Sequence, residues 1–270
     1  MFERGIEIKT PEQIAVMRSA GLVVGETLEV LRAAATAGMT TRELDEIAHD
    51  HIRSRGATSN FLGYHGFTGV ICASVNDEVV HGIPGDRVLR DGDLLSIDCG
   101  AIVDGWHGDA AITVPIGEVS DELTRLMRAT EDALWHGIAA ARLGGRVSDI
   151  SHAIETSISA AGDYGIVEGF TGHGIGSAMH QPPDVHNYGK PRRGPKLVKG
   201  LALAVEPMVT LGTADTRTLA DDWTVVTTDG SWAAHFEHTF TLTDTGAWVL
   251  TALDGGRARL AELGVPYGGD

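Results

Sequence analysis

Hydrophobic positions recur with a helical period in two stretches near the start of the chain. Thr10 and Pro11 supply a capping side chain and a first helical residue, so we predict a long helix after them. Thr40 and Glu43 fit a capping box, and the apolar positions that follow keep helical spacing until Gly56. We therefore expect the fold to begin with two helices.

Beyond residue 70 the pattern changes to runs of β-branched residues separated by turn residues, which is typical of strands. Strands are predicted over 70–75, 94–103 and 106–116. The same order then repeats, with helices predicted over 120–142 and 148–161, and strands over 201–210, 223–228 and 233–243. Because helices precede strands twice, the pattern predicts the α+β class.

Two numerical shifts relate the halves of the chain. A shift of 106 residues aligns an apolar helical face with its flanking glycines, pairing Gly38, Leu44, Ala48, Ile52 and Gly56 with Gly144, Ile150, Ile154, Ile158 and Gly162. A shift of 108 residues pairs His65 with His173 and Asp98 with Glu206. We interpret these matches as an ancient duplication, with chance as the alternative. The duplication predicts a single domain over 1–270, with halves at about 10–117 and 118–250 and a site in the seam between them.

Composition narrows the possible classes of protein. The 270 residues include 37 acidic and 21 basic side chains, which gives a net charge of −16 and argues against a general nucleic-acid binder. No apolar run reaches the ~18 residues of a membrane span, and the first four residues lack the pattern of a secretory signal. We expect a cytoplasmic protein without a membrane partner. Its two cysteines, Cys72 and Cys99, are expected to be reduced and buried.

Acidic residues stand inside two apolar strand patterns. Asp98 lies within the run 94–100, and Glu206 lies within the run 201–209. A carboxylate in an apolar interior needs a positive partner or a metal ion, since otherwise its pKa rises until it is neutral. The dipeptide at 104–105, Asp-Gly, predicts a two-residue hairpin that places Asp98 opposite Ala111. Asp109 then points to the same face as Asp98, roughly 7–8 Å away.

A third strand carries Glu237, and His173 lies between two glycines. No nearby lysine or arginine in the sequence neutralises this acidic set. Four carboxylates and one imidazole form a mainly oxygen ligand field, which suits a pair of Mn, Fe, Co or Zn ions better than a structural zinc. Taken singly, each carboxylate has the ordinary alternative of a surface or salt-bridged group.

Six ordered motifs cover nearly the whole chain and span 80–84, 96–98, 107–109, 172–176, 205–208 and 236–239. Together they resemble one known family, the type I methionine aminopeptidases, which have the pseudo-two-fold pita-bread fold of two helix-then-strand halves around a central antiparallel sheet. The resemblance implies that the protein removes the N-terminal methionine from nascent polypeptides and peptides, with two divalent metal ions. It implies that Asp98, Asp109 and Glu237 hold one ion, and that Asp109, His173, Glu206 and Glu237 hold the other.

The resemblance also implies roles for residues around the ions. Glu206 would act as the acid–base group, His180 would stabilise the carbonyl oxygen, and His81 would orient the substrate. The methionine pocket would include the side chains of Tyr64, Phe67, Cys72 and Trp223. Two positions depart from the common pattern, because Met179 stands where many members have an aromatic residue and Phe61 where a smaller residue is frequent. For a lone histidine or aromatic residue, ordinary core packing is the alternative.

Two other functions use the same fold. A proline-directed aminopeptidase or prolidase shares the five ligands but usually carries an additional N-terminal domain, for which the sequence leaves no room before the first helix. A non-enzymatic binding protein would have lost ligands, whereas all five are present here. The short gap from Glu206 to Glu237 also argues against the type II enzymes.

One basic stretch interrupts the acidic chain. Residues 190–199 contain five cations, and their prolines and glycine predict a loop. An enzyme that acts on nascent chains could use such a loop to contact ribosomal RNA, since contacts to phosphates give sequence-independent attraction. The alternative is a solvated loop. We expect the protein to be a monomer.

Overall fold

A computed structural model describes residues 5–269. The expectation that residues 1–4 contain no secretory signal lies outside the described residues. Among the described helices, none combines the length and the apolar character that a membrane span requires. Both cysteines are free and buried, as predicted.

Within the described residues the chain forms five helices: α1 Pro11–Ala34, α2 Thr41–Ser54, α3 Asp121–Ala140, α4 Val147–Ala161 and α5 Arg257–Glu262. The first four confirm the predicted helices. The side chain of Thr10 accepts a hydrogen bond from the backbone of Gln13, and Thr40 and Glu43 form the predicted capping box. The short helix α5 was not predicted, because its six residues are too few to show a period.

The strands are β1 Thr58–Ser59, β2 Ile71–Val75, β3 Glu78–Val80, β4 Leu94–Val103, β5 Trp106–Pro115, β6 Gly165–Ile166, β7 Gly172–Gly174, β8 Gln181–Val185, β9 Ala202–Val205, β10 Met208–Thr210, β11 Thr216–Thr218, β12 Val225–Thr227, β13 Ala233–His235, β14 Glu237–Leu242 and β15 Ala247–Val249. A nine-stranded sheet has the order β1-β4-β5-β14-β9-β7-β8, with β2 paired to β4 and β15 paired to β14. Two three-stranded sheets have the orders β13-β10-β6 and β11-β12-β3. The pairs of the central sheet are antiparallel, which confirms the predicted α+β architecture.

The hairpin of β4 and β5 has the predicted register. Asp104 and Gly105 both have positive φ, at 47° and 79°, as a two-residue turn of this kind requires. Asp98 pairs with Ala111, and Asp109 pairs with Gly100. The carboxylates of Asp98 and Asp109 therefore belong to the same face of the sheet.

Two predicted strands are each broken in the structure. The strand predicted over 201–210 divides into β9 and β10 at Glu206 and Pro207, and the strand predicted over 233–243 divides into β13 and β14 at Phe236. In both cases the first and second parts pair in different sheets, since β9 joins β14 whereas β10 joins β13. Pro207 has no N–H for a sheet ladder, which explains the first break. Glu206 and Glu237 are thereby placed side by side where the sheets separate.

The helices pack on the sheets in pairs. Helix α1 packs on β4 and β5 and against α2, and helix α3 packs on β9, β10, β13 and β14 and against α4. Ile97 and Cys99 of β4 are buried in the core cluster that also contains Val24 and Leu28 of α1. Because side chains alternate along a strand, Asp98 faces away from that core.

Candidate metal centre

Four carboxylates, three on separate strands and one just after a strand, line one cavity of about 440 Å³. Asp98 lies on β4, Asp109 on β5, Glu206 just after β9, and Glu237 at the start of β14. Asp109 and Glu237 are buried, while Asp98 and Glu206 are half-buried. Ligand atoms of Asp109, Glu237 and His173 lie within 4.8 Å of one another. Asp98 lines the same cavity but does not belong to this close group.

Burial and mutual repulsion raise the pKa of every one of these carboxyl groups. Burial raises the pKa of Asp98 to about 7. The pKa of Asp109 is raised well above its ordinary value by burial and then by Asp98 and Glu206, and the pKa of Glu237 is raised by burial and then by Asp109, Glu206 and Asp98. Burial and then Asp98 raise the pKa of Glu206. Within residues 5–269, the ion pairs recorded for these four carboxylates involve histidine and not lysine or arginine.

The unpaired oxygens in this cluster fit a metal ion. Asp98 Oδ1, Asp109 Oδ1 and Glu237 Oε1 are buried without a hydrogen-bond partner. Buried carboxylates are costly unless they are paired or bound to a cation. Since the donors are oxygen-rich with imidazole added, the set suits Mn, Fe, Co or Zn. The chemistry of these residues is therefore that of a divalent metal centre.

His173 is held on β7 with one nitrogen turned toward the carboxylates. Its Nδ1 lies 3.0 Å from the carbonyl oxygen of Gly174 and donates to it, while Nε2 lies 3.5 Å from Glu206 Oε1. Burial, and then His180, lowers the pKa of His173 to about 3, so the ring is neutral. A Cβ at Gly172 would clash with the carbonyl oxygen of Ala204, and one at Gly174 would clash with that of Pro182. Glycine on both sides therefore lets the neighbouring strands approach the ligand closely.

Two further histidines stand at the cavity. His180 is exposed, its ring centroid is 4.3 Å from that of His173, and its Nδ1 is 2.8 Å from the hydroxyl of Tyr64. His81 follows β3 with a left-handed φ of 61°. Burial, and then His180, lowers the pKa of His81 to about 4, so its ring is neutral near pH 7.

The wall of the cavity is apolar. Phe61, Phe67, Cys72 and Met179 form a buried cluster with Tyr64, Ile83 and Trp223 packed against it. The rings of Phe67 and Trp223 meet edge to face with centroids 4.9 Å apart. Burial, and then the charge of Asp98, raises the pKa of Cys72 well above that of a free thiol. The structure thus brings together Tyr64, Phe67, Cys72 and Trp223, which were predicted to line the pocket, and the thiol among them is neutral.

Some residues of this region were not identified from the sequence. Phe170 lines the cavity, with its ring centroid 5.5 Å from that of His81. His235 forms a second close group with Glu206 and Glu237. Its position two residues before Glu237 was an available signal, because alternate residues of a strand share a face. His65, which the 108-residue shift pairs with His173, also lines the cavity, but it does so from an exposed 3₁₀ turn over Tyr64–Gly66 and is not in either close group.

Residues 15–244 match metallopeptidase family M24. The chain belongs to this family. It is 52% identical over 254 residues to methionine aminopeptidase 1 of Mycobacterium tuberculosis, covering 92% of this chain and 96% of that one. This similarity places the M24 peptidase among the methionine aminopeptidases.

Solved structures agree with this assignment. The methionine aminopeptidase of Thermotoga maritima superposes with a TM-score of 0.90 at 38% identity, over 92% of this chain and 99% of that chain. A prolidase from Pyrococcus furiosus gives a TM-score of 0.72 at 20% identity, over 90% of this chain and 65% of that chain. The M24 peptidase therefore has the expected pita-bread fold, and the likeness to the prolidase concerns the fold alone.

Proposed function

We propose that this chain hydrolyses the peptide bond after an N-terminal methionine in nascent polypeptides and peptides. The observation that carries this proposal is the buried group of carboxylates and His173 at one side of an apolar cavity. An unbranched thioether gains from contact with aromatic rings and sulfur, which the walls of this cavity offer. The relatives that are named methionine aminopeptidases support the same substrate.

Two divalent ions are proposed as cofactors, with Co, Mn, Fe and Zn as the candidate metals. Asp98, Asp109 and Glu237 would hold one ion, and Asp109, His173, Glu206 and Glu237 would hold the other. Asp109 and Glu237 would therefore bridge the pair. When bound, such ions would lower the pKa of the attacking water and polarise the scissile carbonyl.

Protein side chains would supply the remaining chemistry. Glu206 would accept the proton of the attacking water and pass it to the leaving amine, a task for a carboxylate with a raised pKa. With the Tyr64 hydroxyl donating to Nδ1, His180 would present its Nε2–H to the carbonyl oxygen, where negative charge develops. His81, neutral near pH 7, would orient the peptide group of the substrate.

A proline-directed aminopeptidase remains the second candidate. Its support is limited to the shared fold, since the prolidase is only 20% identical. A non-enzymatic binding protein is disfavoured because all five metal-binding side chains are present and line one cavity. Removal of an N-terminal methionine therefore explains more features of this site than either alternative function does.

Further proposals concern the location, the oligomeric state and the ribosome contact of the enzyme. We expect a cytoplasmic monomer with two related halves, at about 10–117 and 118–250, and contact with the ribosome through residues 190–199. All five cations of this loop are exposed, but Lys199 forms an ion pair with Asp244. Arg192, Arg193 and Lys196 are three of the cations that remain available to phosphate groups.

A peptide series tests the proposed activity. Matched peptides that begin with methionine, alanine or leucine should be compared with each metal in turn, and after chelation. We expect methionine to be released fastest, and best when the second residue is small. Faster release of alanine or leucine would favour a broader aminopeptidase, and a strict requirement for proline in second place would favour the prolidase-like alternative.

A further inference from the structure

His235 is a buried histidine with an unpaired nitrogen beside the proposed metal centre. It ends β13, is 2% exposed, and its Nε2 has no hydrogen-bond partner. That nitrogen lies 3.9 Å from Glu206 Oε2 and 4.0 Å from Glu237 Oε2. Both distances are too long for a hydrogen bond. A buried polar atom without a partner calls for an explanation.

Hydrogen bonds and strand pairing hold the backbone of His235 in place. Its N–H donates to Thr113 Oγ1 at 2.9 Å, and the Thr113 hydroxyl lies 2.8 Å from the His235 carbonyl oxygen. The strand pairing adds Met208 as its neighbour in β10. The ring therefore faces the carboxylates because the sheet holds it there.

Glu206 lies between two imidazoles. Its Oε1 is 3.5 Å from His173 Nε2, and its Oε2 is 3.9 Å from His235 Nε2. Ligand atoms of Glu206, His235 and Glu237 lie within 4.8 Å of one another, as do those of Asp109, His173 and Glu237. Glu237 belongs to both groups, and each group contains one histidine. A neutral imidazole has one nitrogen lone pair that can bind a metal ion.

We propose that His235 is a further metal ligand, which adds a second imidazole nitrogen to the ion held by Glu206 and Glu237. This inference rests on the proposed function, because it requires that the carboxylates bind divalent ions. A second imidazole makes the donor set more favourable for Co, Zn and Fe relative to Mn and Mg. It therefore predicts a metal preference as well as a ligand.

Cobalt provides a direct test, because paramagnetic Co²⁺ shifts the proton resonances of the imidazole rings that bind it. The wild-type protein loaded with Co²⁺ should show shifted ring protons from two histidines. His235→Gln should remove one set, change the visible absorption of the bound cobalt, and weaken Co²⁺ binding by about tenfold or more, as loss of a metal-supporting residue typically does. Its loss of affinity for Mn²⁺ should be smaller.

His238→Gln is the matched control. His238 is the next histidine along the chain and lies on β14, where side chains alternate, so it faces away from Glu237. Its Nδ1 lies 2.8 Å from Thr251 Oγ1, and its ring packs on Trp135 with centroids 5.1 Å apart. This variant should keep both sets of shifted resonances and the wild-type affinity for Co²⁺.

Shifted protons from a single histidine in the wild type would overturn the inference while leaving the proposed function intact. The same holds if His235→Gln binds Co²⁺ with unchanged affinity and spectrum, because the imidazole then does not bind the ion. A wild type that binds no divalent ion would overturn both proposals. If His235→Gln does not fold, His235→Asn and the count of histidines in the wild type decide the question.

Discussion

The hydroxyl of Tyr64 lies 2.8 Å from Nδ1 of His180, although 116 residues separate them in the chain. With the hydroxyl as donor, the ring proton of the neutral imidazole is on Nε2. The contact joins the turn after β1 to the segment between β7 and β8, and both residues line the cavity. Tyr64 therefore packs against the apolar wall and also contacts the ring of His180.

Tyr64→Phe tests this relationship without removing the ring. The lost hydrogen bond should lower kcat roughly twofold to tenfold, the range that corresponds to about 0.5–1.5 kcal/mol, with a smaller change in KM. Tyr188→Phe, on a tyrosine outside the cavity lining, should leave kcat unchanged. A double-mutant cycle with His180→Ala should show that Tyr64→Phe costs little once the imidazole is gone. Independent, additive losses would show that the two residues do not act together.

Asp109→Ala and Glu237→Ala should each abolish activity and reduce the bound metal. Each removes a buried carboxylate that we assign to both ions, so the site is expected to fail as a unit. Elemental analysis and peptide hydrolysis would be measured side by side, with Glu168→Ala as a control on an exposed carboxylate. Substantial activity in either variant after chelation and metal restoration would contradict a shared dinuclear site.

The metal-free protein should lose stability as pH rises. The pKa of Asp98 is about 7 in the folded protein and 3.8 in the unfolded chain, so the folded protein binds the carboxyl proton of Asp98 more tightly. The stabilisation is complete below pH 3.8 and is lost as pH rises toward 7. The raised pKa values of Asp109, Glu206 and Glu237 act in the same direction.

Added metal should reverse this dependence, because the ion replaces protons and binds more tightly as the carboxyl groups ionise. Thermal unfolding from pH 5 to pH 8, after chelation and with Mn²⁺ or Co²⁺, measures both effects. Asp98→Asn should flatten the loss of stability in the metal-free protein. A metal-induced rise in Tm that shrinks with increasing pH would contradict the assignment.

Cys72→Ser should remain active. Burial, and then Asp98, raises the pKa of the thiol, and a protonated thiol is a poor nucleophile. We therefore treat Cys72 as part of the wall, and expect a modest change in KM for methionine peptides because sulfur contact is lost. Complete loss of turnover with normal folding and metal content would show a chemical role for the thiol.

Reversing the charge at Arg192, Arg193 and Lys196 should weaken co-sedimentation with ribosomes at low salt and leave cleavage of free peptides unchanged. Phosphate contacts are electrostatic, so the difference should fade as salt is added. Charge reversal at Arg53, Arg125 and Arg128, three exposed cations on α2 and α3, makes the same change in net charge and serves as the control. Equal binding by the loop variant and the wild type would leave the solvated-loop interpretation.

The sequence predicted the long elements and one exact register, because both depend on local signals. Capping residues placed α1 and α2, and the Asp-Gly turn placed Asp98 opposite Ala111. Strands of two or three residues, such as β1 and β6, were missed since they are too short to show alternation. The break between β13 and β14 at Phe236 has no local signal in the sequence. It arises because β13 pairs with β10 in one sheet whereas β14 pairs with β9 in another.

Part of the candidate site could be predicted from the sequence, because some of its residues stand out in the local pattern. Carboxylates inside apolar strands are conspicuous, so Asp98 and Glu206 could be noticed before the fold was known. His235 was not noticed, because a single histidine in a strand is usually a packing residue. The contact between Tyr64 and His180 depends on the path of two distant loops, which no spacing in the sequence encodes.

The glycines on either side of His173 have a consequence for how this enzyme could be adapted. Side chains at Gly172 or Gly174 would collide with the backbone of β9 or β8, so a library randomised there should yield almost no folded members. Phe61 and Met179 line the cavity from outside the helices and strands and carry no such restriction. New preferences for the first residue of a substrate should therefore evolve at the cavity wall while the histidine ligand and its neighbours stay constant.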